Sequence, residues 1–456
     1  MDHVRTAIEL TILLYFLGMN GGYLFLNLFA WFAIQRHEQL AGRLDLQGPL
    51  KQFLRPVSLI VPAWNEEDFI IETVRSLQKQ QYGETEIIVV SDGSTDDTID
   101  VMIERFDMEP VKAVYRDPIE TAPVRRIYRS KTHPNLRLVE KENAGRYDAL
   151  NAATNLAEYP LVATCDADTL MEEDTILRMA QPFHENENTI HSGGAVRVLN
   201  GCRTEDGSVV EALLPERMVP LLQVVEYLRA FQFGRMGWSV IRALLINSGT
   251  AGMFRRTVLT EVGGFRDTVA EDLEMTTRLQ RIYRNKDEPH EISFTPDAFC
   301  WTKVPDTIRS LGHQRARWQR GVGTSLSMNA TMPFSSGAGT AGWIAFPFFV
   351  LFEFLGPLLE LLAFGYFLYI LVAGPFNIAF ILGFLLFAVV FGIFLSFTAI
   401  LQEQICYRAY RFESGVVWKL LLAAILENFG YRQILTYYRL KGVFQFLFTK
   451  QGGSYK

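Results

Sequence analysis

The chain has 456 residues, 49% of them hydrophobic, and a formal net charge of −6. That length predicts two or three structural units, and the acidic balance argues against a nucleic-acid partner, which would need a basic footprint. Cys165, Cys202, Cys300 and Cys406 are widely scattered without a C-x-x-C pair, so they supply no disulfide framework or zinc site and suit a reducing compartment.

Ile8–Ile34 is almost free of charge and exceeds the roughly 20 apolar residues that cross a bilayer as a helix. It has no strongly basic start and no small-residue cleavage site, which predicts an anchor rather than a removed signal. Arg36, His37, Arg43, Lys51 and Arg55 follow it, against one Arg before it. The positive-inside rule then predicts a cytoplasmic globular domain.

From Arg55 to Asn329 the sequence is globular in character. Val57–Val61 reads as a strand, Pro62–Glu66 as a turn, and Glu67–Gln80 as a helix with Ile70, Val74 and Leu77 on one face. Glu86–Val90, Leu136–Glu140 and Leu161–Cys165 read as further strands, with a helical register from Ala149 to Leu156. This alternation predicts a parallel, doubly wound sheet, whose ligands bind beyond the carboxyl ends of the strands. Three of those ends carry polar clusters: Asn65-Glu66, Ser91-Asp92-Gly93 and Asp166-Ala167-Asp168. No G-x-G-x-x-G or P-loop pattern is present, so dinucleotide and P-loop readings have no support. The basic stretch Arg116–Pro134 breaks the alternation and reads as a solvated loop.

In extended backbone Asp166 and Asp168 point to one side and can share a Mg2+ or Mn2+ completed by substrate phosphates. The alternative is an N-cap on a helix over Glu172–Met179. Asp92 reads either as a turn former or as a partner for a base or ribose. Glu271 and Asp272 stand at a helix start, where carboxylates complement the dipole; a carboxylate there that reached the cleft would serve as a general base. Gln314, Arg317 and Trp318 share a face of a helix just before the membrane segments, suited to an interfacial anchor or to clamping a diphosphate beneath a stacking platform.

Trp343–Val372 reads as one spanning helix, alone or preceded by an interfacial piece, with Glu353 and Glu360 facing protein or a polar path rather than lipid; the alternative puts them near the interface or neutral. Phe376–Leu401 reads as another, and Arg408, Arg411 and Lys419 after it agree with the cytoplasmic placement. Val416–Tyr438, with Glu427, Asn428, Arg432 and Gln433, reads as a further span packed against other helices, the alternative being an interfacial helix; Arg439 and Lys441 stand against the cytoplasmic placement if it spans.

Taken in order, these residues resemble the processive, membrane-integrated family-2 glycosyltransferases: cellulose, hyaluronan, chitin-oligosaccharide and poly-N-acetylglucosamine synthases. The resemblance runs through Val61-Pro62-Ala63-Trp64-Asn65-Glu66, Ser91-Asp92-Gly93-Ser94, Asp166-Ala167-Asp168, Ser248-Gly249-Thr250-Ala251-Gly252, Glu271-Asp272 and Gln314-x-x-Arg317-Trp318. Trp301-Thr302-Lys303-Val304-Pro305 looks like the poly-N-acetylglucosamine and hyaluronan branch. One departure is Asn143-Ala144-Gly145-Arg146-Tyr147, where the family has N-G-G-K-A. Arg146 keeps a cation for phosphate, but as a fork rather than a point charge, and Ala144 restricts the backbone if φ is positive there.

The resemblance implies a GT-A type α/β domain, with a mixed, mainly parallel sheet, inserted between transmembrane helices. The expected units are an N-terminal span (1–36), a cytosolic transferase domain (37–303), interfacial helices (304–340) and a membrane region of two to three spans (341–456). It implies inverting transfer of a hexosyl or N-acetylhexosaminyl unit from a UDP-sugar to a growing polysaccharide, coupled to export at the inner (plasma) membrane. Asp272, with Glu271, would do the proton chemistry. Pro62, Ala63, Asn65, Glu66, Asp92, Arg146, Asp166, Gln314 and Arg317 would bind the nucleotide sugar, Asp166 and Asp168 the Mg2+ or Mn2+, and Ser248, Gly249, Thr250 and Trp318 the acceptor. Membrane lipids and accessory export subunits are the other expected partners. The alternatives are a single-addition enzyme using a ceramide-like or polyprenyl-phosphate acceptor, and an inactive scaffold or export subunit.

Overall fold

The computed structural model describes residues 2–448 apart from 42–53, 113–114, 336, 373, 375, 408–409 and 411–413. Arg43, Lys51, Arg408 and Arg411, used above for orientation, lie outside the described residues. The strands in chain order are β1 (Val57–Ala63), β2 (Thr85–Asp92), β3 (Met108–Val111), β4 (Val124–Ser130), β5 (Leu136–Lys141), β6 (Leu161–Thr164), β7 (Thr169–Met171), β8 (Thr189–Val198), β9 (Arg203–Glu205), β10 (Ser208–Glu211), β11 (Gly252–Arg255) and β12 (Glu291–Thr302). All but β9 and β10, which form a hairpin, join one sheet in the order β3-β4-β5-β2-β1-β6-β11-β8-β12-β7.

Its centre, β5-β2-β1-β6, is parallel, and β1 is buried along its whole length, as a strand covered on both faces must be. Antiparallel β11 then joins β6 to β8, so the sheet is mixed. The helix Ile70–Gln78 buries Ile70, Val74 and Leu77 at the predicted spacing. Two readings need correction. Arg116–Pro134 contains β4, antiparallel to both β3 and β5; its arginines conceal a strand whose Ile127, Tyr128 and Ser130 are buried. The helix read over Glu172–Met179 is Thr175–Glu185, preceded by β7, so Asp168 leads into a strand and caps no helix.

The stretches His3–Gln39 and Ile378–Tyr407 are helices long and apolar enough to cross a membrane. The segment read as a single span over Trp343–Val372 is a pair, Ala341–Phe354 and Gly356–Val372, bent by 50°. Pro357 explains the bend, because it has no N–H for the carbonyl of Glu353. That carbonyl accepts instead from Gln319 Nε2 at 2.7 Å and Arg439 Nη2 at 2.8 Å. Glu353 also pairs with Arg439 at 3.2 Å, and Glu360 accepts from Thr436 Oγ1 at 2.7 Å, so both carboxylates face protein as expected.

The segment read as a further span, Val416–Tyr438, is not one helix. It breaks at Phe429 and Gly430 (φ +95°) between Ser414–Leu426 and Arg432–Phe448. Buried Glu427 sits at the break, 2.6 Å from Arg229, 2.7 Å from Arg432 and 2.8 Å from Ser396 Oγ. An ion pair of this kind belongs against protein, not in lipid. The helix Arg432–Phe448 lies along Ile308–Met328, with Gly442 so close that a Cβ there would meet Ala316 O at 2.3 Å.

Candidate active site

The polar clusters converge because β1, β2 and β6 are parallel neighbours ending on one side. The first two loops are stitched together. Asn65, at φ +56°, accepts on Oδ1 from Thr95 N at 2.8 Å, and Glu66 N donates to Thr98 Oγ1 at 2.8 Å. Pro62 and Ala63 are buried in β1, and Trp64 and Asn65 are exposed above them.

Asp92 is engaged by its own protein. Its Oδ1 accepts from Lys141 Nζ at 2.6 Å and Ala144 N at 3.1 Å, and its Oδ2 from Gly145 N at 2.7 Å. Gly93 (φ +67°) has no room for a side chain, since a Cβ would sit 2.8 Å from Asn143 N. In the departing loop the left-handed residue is Gly145 (φ +104°), while Ala144 is not among the positive-φ residues. Ala144 is therefore accommodated without strain.

Gly145 opens the helix Arg146–Leu156, and its first side chain reaches across the site. Arg146 Nε and Nη2 donate to Asp166 Oδ1 at 3.0 and 2.5 Å, Nη2 also to Gly249 O at 3.0 Å, and Nη1 pairs with Glu271 Oε1. The residues 248–252 are thereby fastened to the strand ends, with Thr250 Oγ1 accepting from Asp166 N at 3.1 Å. Ser248 and Gly249 line a small, narrow hollow with Arg146, His191, Glu271 and Asp272. Burial holds the imidazole of His191 down to about 4, hence neutral.

Asp168 is half-buried and accepts on Oδ1 from Thr169 Oγ1 at 3.2 Å and Thr302 Oγ1 at 3.3 Å. Burial, then the Asp166 charge, push its carboxyl up to about 6. Burial, then Asp168 and Asp166, push Glu66 up to about 7. Asp166 thus raises both neighbouring carboxyls, as a nearby like charge does. Among the described residues no three His, Cys, Asp or Glu side chains group tightly enough to enclose a metal ion. Two carboxylates still fit Mg2+ or Mn2+, which take few protein ligands and complete their shell with phosphate and water.

Asp272 is the second residue of the helix Glu271–Asn285 and accepts from Leu273 N at 2.7 Å. Burial pushes its carboxyl above the usual range, against the opposing charges of Arg146 and Arg235. Gln314, Arg317 and Trp318 lie on the helix Ile308–Met328 as expected, with Arg317 and Trp318 exposed. Arg315 lies over the Trp318 ring at 4.5 Å. Gly321 brings that helix onto the residue before Glu271, since a Cβ at 321 would sit 2.7 Å from Ala270 Cβ. No direct contact joins Arg317 to Asp166 or Asp168 among the described residues.

A family model described as "Glycosyltransferase like family 2" matches residues 55–321, more than half of the chain. The chain belongs to that family. A poly-beta-1,6-N-acetyl-D-glucosamine synthase of Staphylococcus epidermidis is 26% identical over 286 residues, covering 62% of this chain and 58% of the relative. One of Staphylococcus aureus (strain COL) is 26% identical over 271 residues, covering 59% and 55%. The chain thus spans little more than half the length of these relatives. A mannosyltransferase from Pyrobaculum calidifontis, solved with GDP-Man and Mn2+, superposes with a TM-score of 0.51 at 19% identity over 96% of this chain and 100% of that one. This family member therefore shares the fold of that enzyme.

Sequence reasoning missed Lys141, Arg235 and His191. Lys141 had a faint signal, a charged residue at the end of an otherwise apolar-alternating strand. Arg235 had none: it ends a π-helical turn, Arg229–Arg235, inside a largely apolar stretch.

Proposed function

We propose that the chain is an inverting glycosyltransferase that moves a hexosyl or N-acetylhexosaminyl unit from a UDP-sugar to a growing polysaccharide and passes the product to its membrane helices. The observation that carries this reading is Arg146, whose guanidinium joins Asp166 of the donor side to Glu271, the neighbour of Asp272. Arg146 lines the same hollow as Asp272, and this tie between the donor side and the proposed base supports the reading.

Asp272 accepts the proton of the acceptor hydroxyl as that oxygen attacks the anomeric carbon. Burial raises its affinity for protons, which strengthens it as a base. Arg146 and Arg317 neutralise charge on the departing nucleoside diphosphate. Asn65, Glu66 and the Asp92 loop hold the nucleoside, and Trp318 supplies a stacking face to the acceptor. Asp166 and Asp168 would hold Mg2+ or Mn2+, which supplies Lewis-acid stabilisation to the diphosphate. The relatives named as poly-beta-1,6-N-acetyl-D-glucosamine synthases support UDP-N-acetylglucosamine as the donor. The charge distribution around the first helix supports a cytoplasmic catalytic domain.

The test is nucleotide release and product length with the full chain in lipid vesicles, given UDP-N-acetylglucosamine, UDP-glucose, UDP-glucuronate or GDP-mannose. Long products from one UDP-sugar are expected. Single addition to a lipid would replace the polymer reading, and no turnover with any donor would overturn the enzymatic one.

A further inference from the structure

All three nitrogens of the Arg146 fork are engaged by the protein. Nε and Nη2 hold Asp166 Oδ1, Nη2 holds the Gly249 carbonyl, and Nη1 holds Glu271. Its root is fixed independently of these bonds, because Asp92 anchors the preceding Ala144 and Gly145 amides. The guanidinium can therefore leave Asp166 without moving the helix it begins. It remains 30% exposed and Asp166 34% exposed, so both can be reached from the cleft.

A divalent cation arriving alone at Asp166 would meet an oxygen already committed to a positive charge, with that charge left beside it. A cation arriving with a diphosphate brings Arg146 a new partner, since the planar fork matches phosphate oxygens as well as it matches carboxylate. A lysine at 146, with one compact ammonium, could not span Asp166, Gly249 and Glu271 together.

We propose that Arg146 is a resident counter-ion that holds Asp166 in the donor-free protein and yields it only to a divalent cation arriving with a nucleoside diphosphate, so that cation and diphosphate bind as a linked pair. The proposal rests on the reading of Asp166 as a metal ligand. Before the donor arrives, the hold of Arg146 on Glu271 and Gly249 also keeps the surrounding elements together.

The test is Mn2+ binding to the full chain in detergent, with and without UDP, read from loss of the free-ion electron paramagnetic resonance signal. In the wild type UDP should tighten Mn2+ binding by about a hundredfold, and Mn2+ should tighten UDP binding by the same factor. Arg146→Ala should bind Mn2+ alone about tenfold more tightly than the wild type and retain less than about tenfold coupling to UDP. Arg146→Lys should fall between them, and it carries the test if melting curves show that the alanine variant does not fold. Equal or weaker binding of Mn2+ alone by the folded variants would overturn the proposal. Asp166→Asn separates the two ideas: Mn2+ binding that survives it in the presence of UDP overturns the metal-site reading itself.

Discussion

Lys141 Nζ lies 2.6 Å from Asp92 Oδ1 and 2.7 Å from Asp148 Oδ1, with the lysine side chain wholly shielded from solvent. Two carboxylates and one ammonium thus join the end of β2, the end of β5 and the helix that carries Arg146. Lys141→Met would keep the stem and leave both acids buried without their cation. Breaking a buried pair on one side costs about 3–5 kcal/mol, so the variant should melt well below the wild type in thermal unfolding. An unchanged melting temperature would show that the bridge does not hold the loop.

Asp272 makes the acid limb of the reaction measurable. Burial raises its carboxyl above the ordinary aspartate value, and a base works only when deprotonated. The kcat/KM profile should therefore fall as pH drops through a midpoint above about 3.9. Asp272→Asn should lower kcat by about 10²–10⁴-fold while UDP affinity, measured by calorimetry, stays near the wild-type value. Full activity in that variant would remove Asp272 from the mechanism.

Glu66 has the opposite kind of consequence, for stability. Its folded-state carboxyl is pushed up to about 7, by burial and then by Asp168 and Asp166, while an unfolded glutamate titrates near about 4.3. Between those values the folded chain binds more protons than the unfolded one, so stability falls as pH rises through that window. The metal-free protein should melt at lower temperature at pH 8 than at pH 5.5, and Glu66→Gln should flatten the slope. A slope unchanged by the substitution would place its origin elsewhere.

Gly321 sets how closely the Gln314–Trp318 helix approaches Asp272, because a Cβ there would meet Ala270 Cβ at 2.7 Å. Gly321→Val should push the helix away from the start of Glu271–Asn285. The expected outcome is a loss of about 10²-fold in kcat, with Mn2+ and UDP binding retained. Equal kcat would mean that Arg317 and Trp318 act independently of this contact.

Much of this arrangement was legible in the residues themselves. The β1, β2 and β6 strands announce themselves as short apolar runs, and a parallel sheet sends the polar residues after each to one edge, so Asn65, Asp92 and Asp166 had to meet. Position on that edge, rather than the D-x-D spacing, is what singled out Asp166 and Asp168. By contrast β4 was hidden, because its exposed Arg125, Arg126 and Arg129 interrupt the apolar run that marks a strand buried on both faces. The break at Gly430 and the bend before Pro357 were hidden as well, because hydropathy measures only whether a segment suits lipid.

The sequence by itself determined the strand–helix order, the acidic strand ends and the apolar helices, since each is a local property of composition and periodicity. Only the tertiary structure decided what those groups do to one another. Arg146 reaches Glu271 across 125 positions and Lys141 reaches Asp92 across 49, and no local pattern encodes a partner so distant. Charge pairing in a buried site depends on distance and exclusion of water, and both exist only once the chain has folded.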